Sequence, residues 1–527
     1  MVGNRYDVIV VGSGHNGLVA AAFLAKAGKK VLVLERNAGL GGGVVTSEIA
    51  APGFHHDLYS AVHVLIQANP LIRNDELGLM SRFGLQYVYP EAIVSTVFED
   101  GDWVATYRDL DRTCESIARI SPRDADAYRQ FAERSAGLLP QIVRAMFVPP
   151  PPQGAFWALL DQNAAGRELM HVMQKSMLDI VNEHFHHDKI KIHLLKCAAE
   201  LLVGPDEKGT GAFIFNMAGF IHAFPWGIPV GGSGALVAAL VRCLQSHGAQ
   251  LRTQCEVTRI LVEGGKATGV RLRDGETIAA RVIIGQIHPW LLGDVVENVD
   301  PQLLRGARNT RTASFCLASV LYALKEAPRF RAAAEASRVV LMSFAPASLE
   351  SYLRVFDDVR YGELPRSPLL AIHDHAQWDA TRAPNGGGTL VAVTFCPYEL
   401  REGGAAGWDT RRPELQRHIH HMLAQRCSNL TERNIAGSAF LTPLDAVRHS
   451  TTFQHGDVGG VGKALYQVGG HRPTPELSQY AVPGAEGLYL AGAFMHPPGG
   501  VTGGGRATAI RICNDLGIAF DSLCGHS

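Results

Sequence analysis

Charge of either sign is scarce in this chain: charged residues make up 19% of its 527, and the formal net charge is −1. Without a basic excess there is no electrostatic footprint for nucleic acid, and none is expected as a partner. No uninterrupted apolar run is long enough to span a bilayer, so any membrane contact is expected to be peripheral. The nine cysteines fall singly, with no C-x-x-C pair, which removes zinc-ribbon and redox-disulfide readings and fits reduced thiols in a cytosol. H-E-x-x-H is missing too. The histidine clusters His184, His186, His187, His193 and His418, His420, His421 therefore read as polar helix faces, His55-His56-Asp57 lacks ligand spacing, and no metal is expected. The first strand begins close to Met1, leaving no room for a targeting peptide, and a cytoplasmic location is expected.

What is present begins at Tyr6. Residues 8–11 form a continuous apolar run, the pattern of a parallel strand buried on both faces. Gly12, Gly14 and Gly17 follow in G-x-G-x-x-G order. The first glycine suits the tight turn, the second the approach of backbone to a pyrophosphate, and the third the close packing of helix on strand. Residues 18–27 are almost wholly apolar, so this helix is expected to be packed on most sides, with its N-H groups aimed at phosphate. A second strand at 30–34 ends in Glu35, about 20 residues beyond the glycines, where a carboxylate accepts hydrogen bonds from ribose hydroxyls; Arg36 beside it joins the expected cofactor contacts. The motif does not separate NAD from FAD. Gly41, Gly42 and Gly43, directly after this strand, favour an extended dinucleotide lying close to backbone, against the plainer reading of a surface turn.

Further along, β-prone runs at 94–98 and 103–107 flank Glu99-Asp100-Gly101-Asp102 and predict a hairpin, and 109–196 has helical periodicity. Within it, four prolines at 149–152 predict an extended segment over 146–160, edged by Phe147, Phe156 and Trp157. Its plain reading is a packed surface loop; its sharper one is a lid or a peripheral membrane contact. Gly231, Gly232 and Gly234 open a helix with no buried strand before them, which argues against a second nucleotide fold. Residues 250–284 then read as strands and a hairpin returning to the first sheet. Strand-like runs at 314–324, 368–373 and 389–395 mark a second, mixed region. Residues 488–491, a glycine-rich loop and a helix close the chain with a second helix N-terminus suited to an anion.

Together GSGHNG with Glu35, the glycine turn at 41–43, PGFHHDLYSAVHVL, PVGGSGALVAAL with CEVTRILV, and GLYLAGAFMHPPGGVTGGG resemble the phytoene desaturase and carotenoid-ketolase-like branch of the flavin amine oxidase superfamily, nearly end to end. Gly42-Gly43-Val44 stands where many of its desaturases have Gly-Gly-Arg. The resemblance implies an α/β fold: a discontinuous Rossmann-type FAD domain (1–108, 226–299 and 479–527) interleaved with a helical cap (109–225) and a mixed α+β substrate domain (300–478). It implies FAD pyrophosphate at Gly12, Gly14 and Gly17, ribose at Glu35, the adenine side at Val257, and the ribityl chain and flavin along Gly492, Ala493, Gly500, Val501 and Thr502. The activity implied is hydride transfer from C-H to flavin N5, forming C=C in an isoprenoid or alicyclic carbonyl compound, with oxygen or quinone as electron acceptor. Desaturation also requires loss of a proton. His496, beside the flavin loop, and Tyr466 are the candidate catalytic residues, with His222 and Arg472 behind them. A flavin amine oxidase, and a flavin-binding partner protein without turnover, remain the alternatives.

Overall fold

The computed structural model describes residues 5–524. Its organising element is a seven-stranded sheet in which Arg5–Val11 lies centrally, parallel to Val31–Leu34 on one side and to Thr277–Gly285 on the other. Gln250–Arg252 extends it in parallel beyond Val31–Leu34. Lys266–Leu272 and Val257–Glu263 extend the opposite side as an antiparallel meander, and Leu488–Leu490 pairs in parallel with Thr277–Gly285. Three distant stretches of chain thus close one sheet, as the sequence leads one to expect.

The helix His15–Lys26 is buried from His15 to Ala25, matching its all-round apolar sequence. It is sandwiched between Gly234–Ser246 and the C-terminal helix Gly505–Asp515. Gly505 is the point of closest approach: a Cβ there would run into the Asn16 carbonyl. Arg506 leaves this helix into the protein, where its guanidinium pairs in bidentate fashion with the buried Glu76 (2.7 and 2.8 Å) and donates to the Phe147 carbonyl, tying the nucleotide half to the helical region.

The second sheet also has seven strands, in the order Ile435–Leu441, Cys316–Leu324, Gly388–Cys396, Leu370–Asp374, Leu341–Ala345, Ala92–Phe98 and Trp103–Tyr107. All neighbours are antiparallel except Leu341–Ala345 with Ala92–Phe98. The hairpin of residues 92–107, which the domain division of the sequence counts with the first FAD segment, is therefore an edge of the substrate sheet. Local alternation forecasts the hairpin but not which sheet accepts it.

The helical region runs from Leu110–Ala118 to Gly211–Ala223. The expectation of an extended 146–160 is half corrected: the prolines are irregular, but Gln153–Leu160 is a helix beginning directly after Pro152. A proline favours the chain just before and at a helix start, so the four prolines launch the helix rather than suppress it. Among the described residues no helix is long and apolar enough to cross a membrane, and no group of His, Cys, Asp or Glu has the arrangement of a metal site.

Candidate active site

A cavity of about 480 Å³ lies between the two sheets. Its nucleotide wall begins at Gly12, whose φ of +93° is open to glycine and strained for other residues. The Gly12 N-H bonds to Leu34 O (2.8 Å), and its carbonyl accepts from the Gln286 carboxamide (2.7 Å). Gln286 explains the other two glycines: its side chain occupies the space where a Cβ of Gly14 or of Gly17 would project. The third glycine thus makes room for a side chain just beyond the end of Thr277–Gly285, not for strand backbone as the motif suggests.

Glu35 is held rigidly. One carboxylate oxygen accepts from Ser13 N (2.9 Å) and Ser13 Oγ (2.6 Å), and the other from Asn37 N (2.8 Å). Ser13 Oγ in turn accepts from Gly41 N (3.0 Å), so the first and second glycine turns are joined through one serine. Arg36 donates to His449 O (3.0 Å), and the His449 ring meets Gly42 O (2.9 Å), which fastens the second turn to the substrate half. Gly12, Gly14, Glu35, Arg36, Gly42, Gly43, Val257, Gly492, Ala493, Gly500 and Val501 all line the cavity. Gly17 lies beneath Gln286, outside that lining. Thr502 is buried and also outside it: its Oγ1 accepts from Gly504 N (3.1 Å) and its carbonyl from Asn69 Nδ2 (2.9 Å), so it shapes the loop from behind. The residues present fit an extended dinucleotide. His15, first in the helix, lines the cavity with a buried Nε2 that has no protein partner, and burial holds its pKa down to about 4.

A buried ion cluster borders the cavity. Arg382, 1% exposed, pairs with Asp57 (2.9 Å) and Asp379 (3.0 Å). Asp57 also accepts from Thr46 Oγ1 (2.6 Å) and Ser233 N (2.8 Å), and Asp379 from Gly231 N (2.7 Å). His55-His56-Asp57 is thereby structural: His56 is buried against the carbonyls of Phe54 (3.3 Å) and Tyr322 (3.1 Å).

The opposite wall is mostly apolar: Val62, Val64, Leu201, Met217, Leu317, Leu341, Val391 and Val393 face the cavity with Trp226. Set among them are His373 and His375, their rings 5.2 Å apart and edge to face, both with pKa values lowered by burial, His373 to about 4. Lys463 also lines the cavity, 4% exposed, its pKa brought down to about 8 by burial against the opposing pull of Asp457. Nothing in the local sequence singles out Gln286, Trp226, His373, His375 or Lys463. Only the strand period, which puts residues 371 and 373 on one face, gives a partial signal for the histidines.

The sequence-derived catalytic candidates lie elsewhere. His496 is buried with Nε2 3.2 Å from Ala145 O, facing the end of the Pro122–Met146 helix, and it is not part of the cavity wall; burial lowers its pKa to about 4. It adjoins the flavin loop in sequence, yet its ring leaves the chain toward the helical region. Tyr466 is 60% exposed at the surface. His222 is engaged by Tyr128 OH (3.0 Å) and Arg108 O (2.9 Å). Arg472 is fully buried, and its guanidinium donates to six carbonyls, those of Gly459, Val461, Gly462, Gln467, Ala493 and Met495. It positions the two loops that border the cavity.

Residues 10–74 match the family model described as an NAD(P)-binding Rossmann-like domain. A limonene dehydrogenase chain of Castellaniella defragrans is 27% identical, the match covering 97% of this chain and 95% of that one. Phytoene desaturase (lycopene-forming) of Pantoea ananas is 25% identical over 96% of this chain and 99% of its own. Fold and relatives are those of an oxidoreductase. Among solved structures, putrescine oxidase bound to putrescine superposes with a TM-score of 0.61 at 15% identity, covering 97% of this chain and 99% of that one, a likeness of fold. The resemblance read from the sequence and the α/β Rossmann-type fold class are both borne out, and the relatives together with the Rossmann-like unit imply a flavin cofactor.

Proposed function

We propose that this protein is an FAD-dependent dehydrogenase that forms a C=C bond in an apolar substrate. The observation that carries the reading is the cavity running from a glycine-lined dinucleotide cradle to an apolar wall on the second sheet. The relatives' names, limonene dehydrogenase and phytoene desaturase, supply the reaction and substrate class by analogy. Bound FAD would supply a two-electron acceptor for hydride.

The chain's own residues do the rest. Glu35 receives the ribose, and the turns joined by Ser13 bring backbone to the dinucleotide. Val257, Gly492, Ala493, Gly500 and Val501 border the remainder of its course, with Thr502 and Arg472 fixing the loop from behind. The apolar wall orders a hydrocarbon skeleton and excludes water. Lys463, with a pKa near the operating pH, is the wall's best-matched group for taking up the proton that desaturation releases. His496 and Tyr466, facing away, do not serve that role in this reading.

An amine substrate fits the wall less well. The four carboxylates of the cavity lining are committed: Glu35 to Ser13, Asp57 to Arg382, Glu200 to Lys196 and Glu256 to Arg273. Tyr59 and Phe453 pack edge to face at 5.3 Å instead of flanking an open gap. The test is anaerobic mixing of FAD-loaded protein with a substrate panel. Bleaching of the flavin by alkene precursors or cyclic ketones is expected; bleaching by amines alone moves the protein to amine oxidation. A purified protein that is colourless and takes up no FAD overturns the reading.

A further inference from the structure

Three polar nitrogens on the apolar wall have no protein partner: Trp226 Nε1, His373 Nδ1 and His375 Nε2, all buried. They belong to one neighbourhood. Trp226 packs in a cluster with Leu341, on the strand paired with that of His373, and Ala371, two residues before His373 on its own strand, and the rings of His373 and His375 lie 5.2 Å apart. A buried donor left without a partner forfeits the hydrogen bond it would make in water, and nearly all such groups in folded proteins are paired. A hydrocarbon filling this wall would seal all three nitrogens away from water and satisfy none. An indole N-H is a donor only, and each neutral imidazole offers one donor and one acceptor. The shared complement of the three is an oxygen.

Taking the apolar-substrate reading above as its basis, we propose that the substrate carries a hydroxyl or carbonyl oxygen on its apolar skeleton, received by Trp226, His373 and His375. The oxygen fixes which C-H bonds lie toward the cofactor side, so these residues determine specificity and regiochemistry. A carboxylate or ammonium is disfavoured. The imidazoles are held neutral by their burial, leaving no cation on the trio for an acid, and the carboxylates of the cavity lining are committed, leaving none for an amine.

The test is calorimetric titration of the FAD-loaded protein with limonene, carvone and carveol, which share one skeleton and differ in carrying no oxygen, a ketone or a hydroxyl. At least one oxygenated ligand is expected to bind about tenfold or more tightly than limonene, the worth of one net hydrogen bond. Trp226→Phe removes the indole N-H together with part of the indole, and His375→Leu removes both ring nitrogens; each is expected to erase most of that preference with the flavin spectrum unchanged, limonene affinity in the same variant being the reference against which the preference is read. His373→Gln, which retains a donor and an acceptor, is expected to keep it. Equal or tighter binding of limonene, no binding of any of the three, or a preference that survives both Trp226→Phe and His375→Leu overturns the proposal. Flavin absorbance, read in the same samples, separates these outcomes from loss of the cofactor site: a protein that holds FAD and binds limonene without preference keeps the functional reading and loses this one.

Discussion

On the nucleotide side the cavity wall is largely backbone, from Gly12 to Gly14, Gly42, Gly43, Gly492 and Gly500, and most of its polar side chains are committed within the protein, Glu35 to Ser13 and Gln286 to the Gly12 carbonyl, with His15 Nε2 the exception. On the substrate side the wall is side chain, presented by strands of the second sheet and by Trp226, and it carries three buried nitrogens without a protein partner. A cofactor of fixed shape is met by a prearranged cradle whose chemistry is settled within the protein. A wall that sorts substrates instead keeps its hydrogen-bonding capacity for the ligand.

The largest break in this contrast is expected at Arg472, which holds together the loops bordering both sides. Arg472→Met would strand six carbonyls and remove one of the two cations, with Lys463, that face Asp457. A loss of about 3–5 kcal/mol in urea-unfolding stability is expected, the range for removing one partner of a buried charged network. Arg472→Lys should recover little of it, because an ammonium cannot reproduce the planar fork. Wild-type stability in Arg472→Met would show that the loops hold themselves.

Glu35 tests the nucleotide side alone. In Glu35→Gln the amide NH2 would face one of the two donors, Ser13 N or Asn37 N, and the charge that receives the ribose would be gone. Hydrogen bonds to a charged group are worth about 1.5–3 kcal/mol, so FAD affinity in apoprotein reconstitution is expected to fall roughly tenfold to hundredfold. Binding of limonene-type ligands to the loaded protein should be untouched; a matching loss there would mean that the two walls are not separable.

How much of each side was legible follows from the same contrast. The cradle is written in residues whose types are forced by backbone geometry, so Gly12, Gly14, Glu35 and Gly42 can be read off a linear pattern. Gln286 escaped because it follows the strand Thr277–Gly285, 274 residues from Gly12, and only sheet pairing brings it over the glycines. His373 looks like an ordinary strand-end residue until Leu370–Asp374 pairs with Gly388–Cys396 and turns one face to the cavity, where His375, first in the turn that follows, joins it. His496 shows the converse error: proximity in sequence to the flavin loop says nothing of which way a side chain leaves it.

Both sides rely on buried neutral histidines, and acid should expose this. His193 sits between Thr96 Oγ1 (2.9 Å) and Thr106 Oγ1 (2.8 Å) in the substrate half, and His63 between Tyr87 OH (2.9 Å) and Ser233 Oγ (3.1 Å) near the nucleotide half. Burial lowers their pKa values to about 4 and about 3, against 6.5 in the unfolded chain. Below the unfolded value the unfolded chain takes protons that the folded one refuses, so stability falls as pH falls, and the loss is complete once pH passes below the folded values. At pH 5 each histidine is expected to remove about 2 kcal/mol. Thermal melts between pH 7 and pH 5 should show the decline, and His193→Gln should flatten it; an unchanged slope would assign the acid sensitivity elsewhere.

The smallest effect is expected at Tyr466. Its ring is 60% exposed, it lies outside the cavity wall, and removing its hydroxyl disturbs no buried group. Tyr466→Phe should therefore alter stability by less than about 0.5 kcal/mol and leave turnover unchanged. Its natural counterpart is Trp226→Phe, which also removes a hydrogen-bond donor, together with part of the indole, but does so on the substrate wall. If the two walls divide their labour as their hydrogen bonds indicate, the surface change is silent and the buried one alters which ligands bind. A tenfold fall in turnover from Tyr466→Phe would bring that surface loop into the reaction and undo the division.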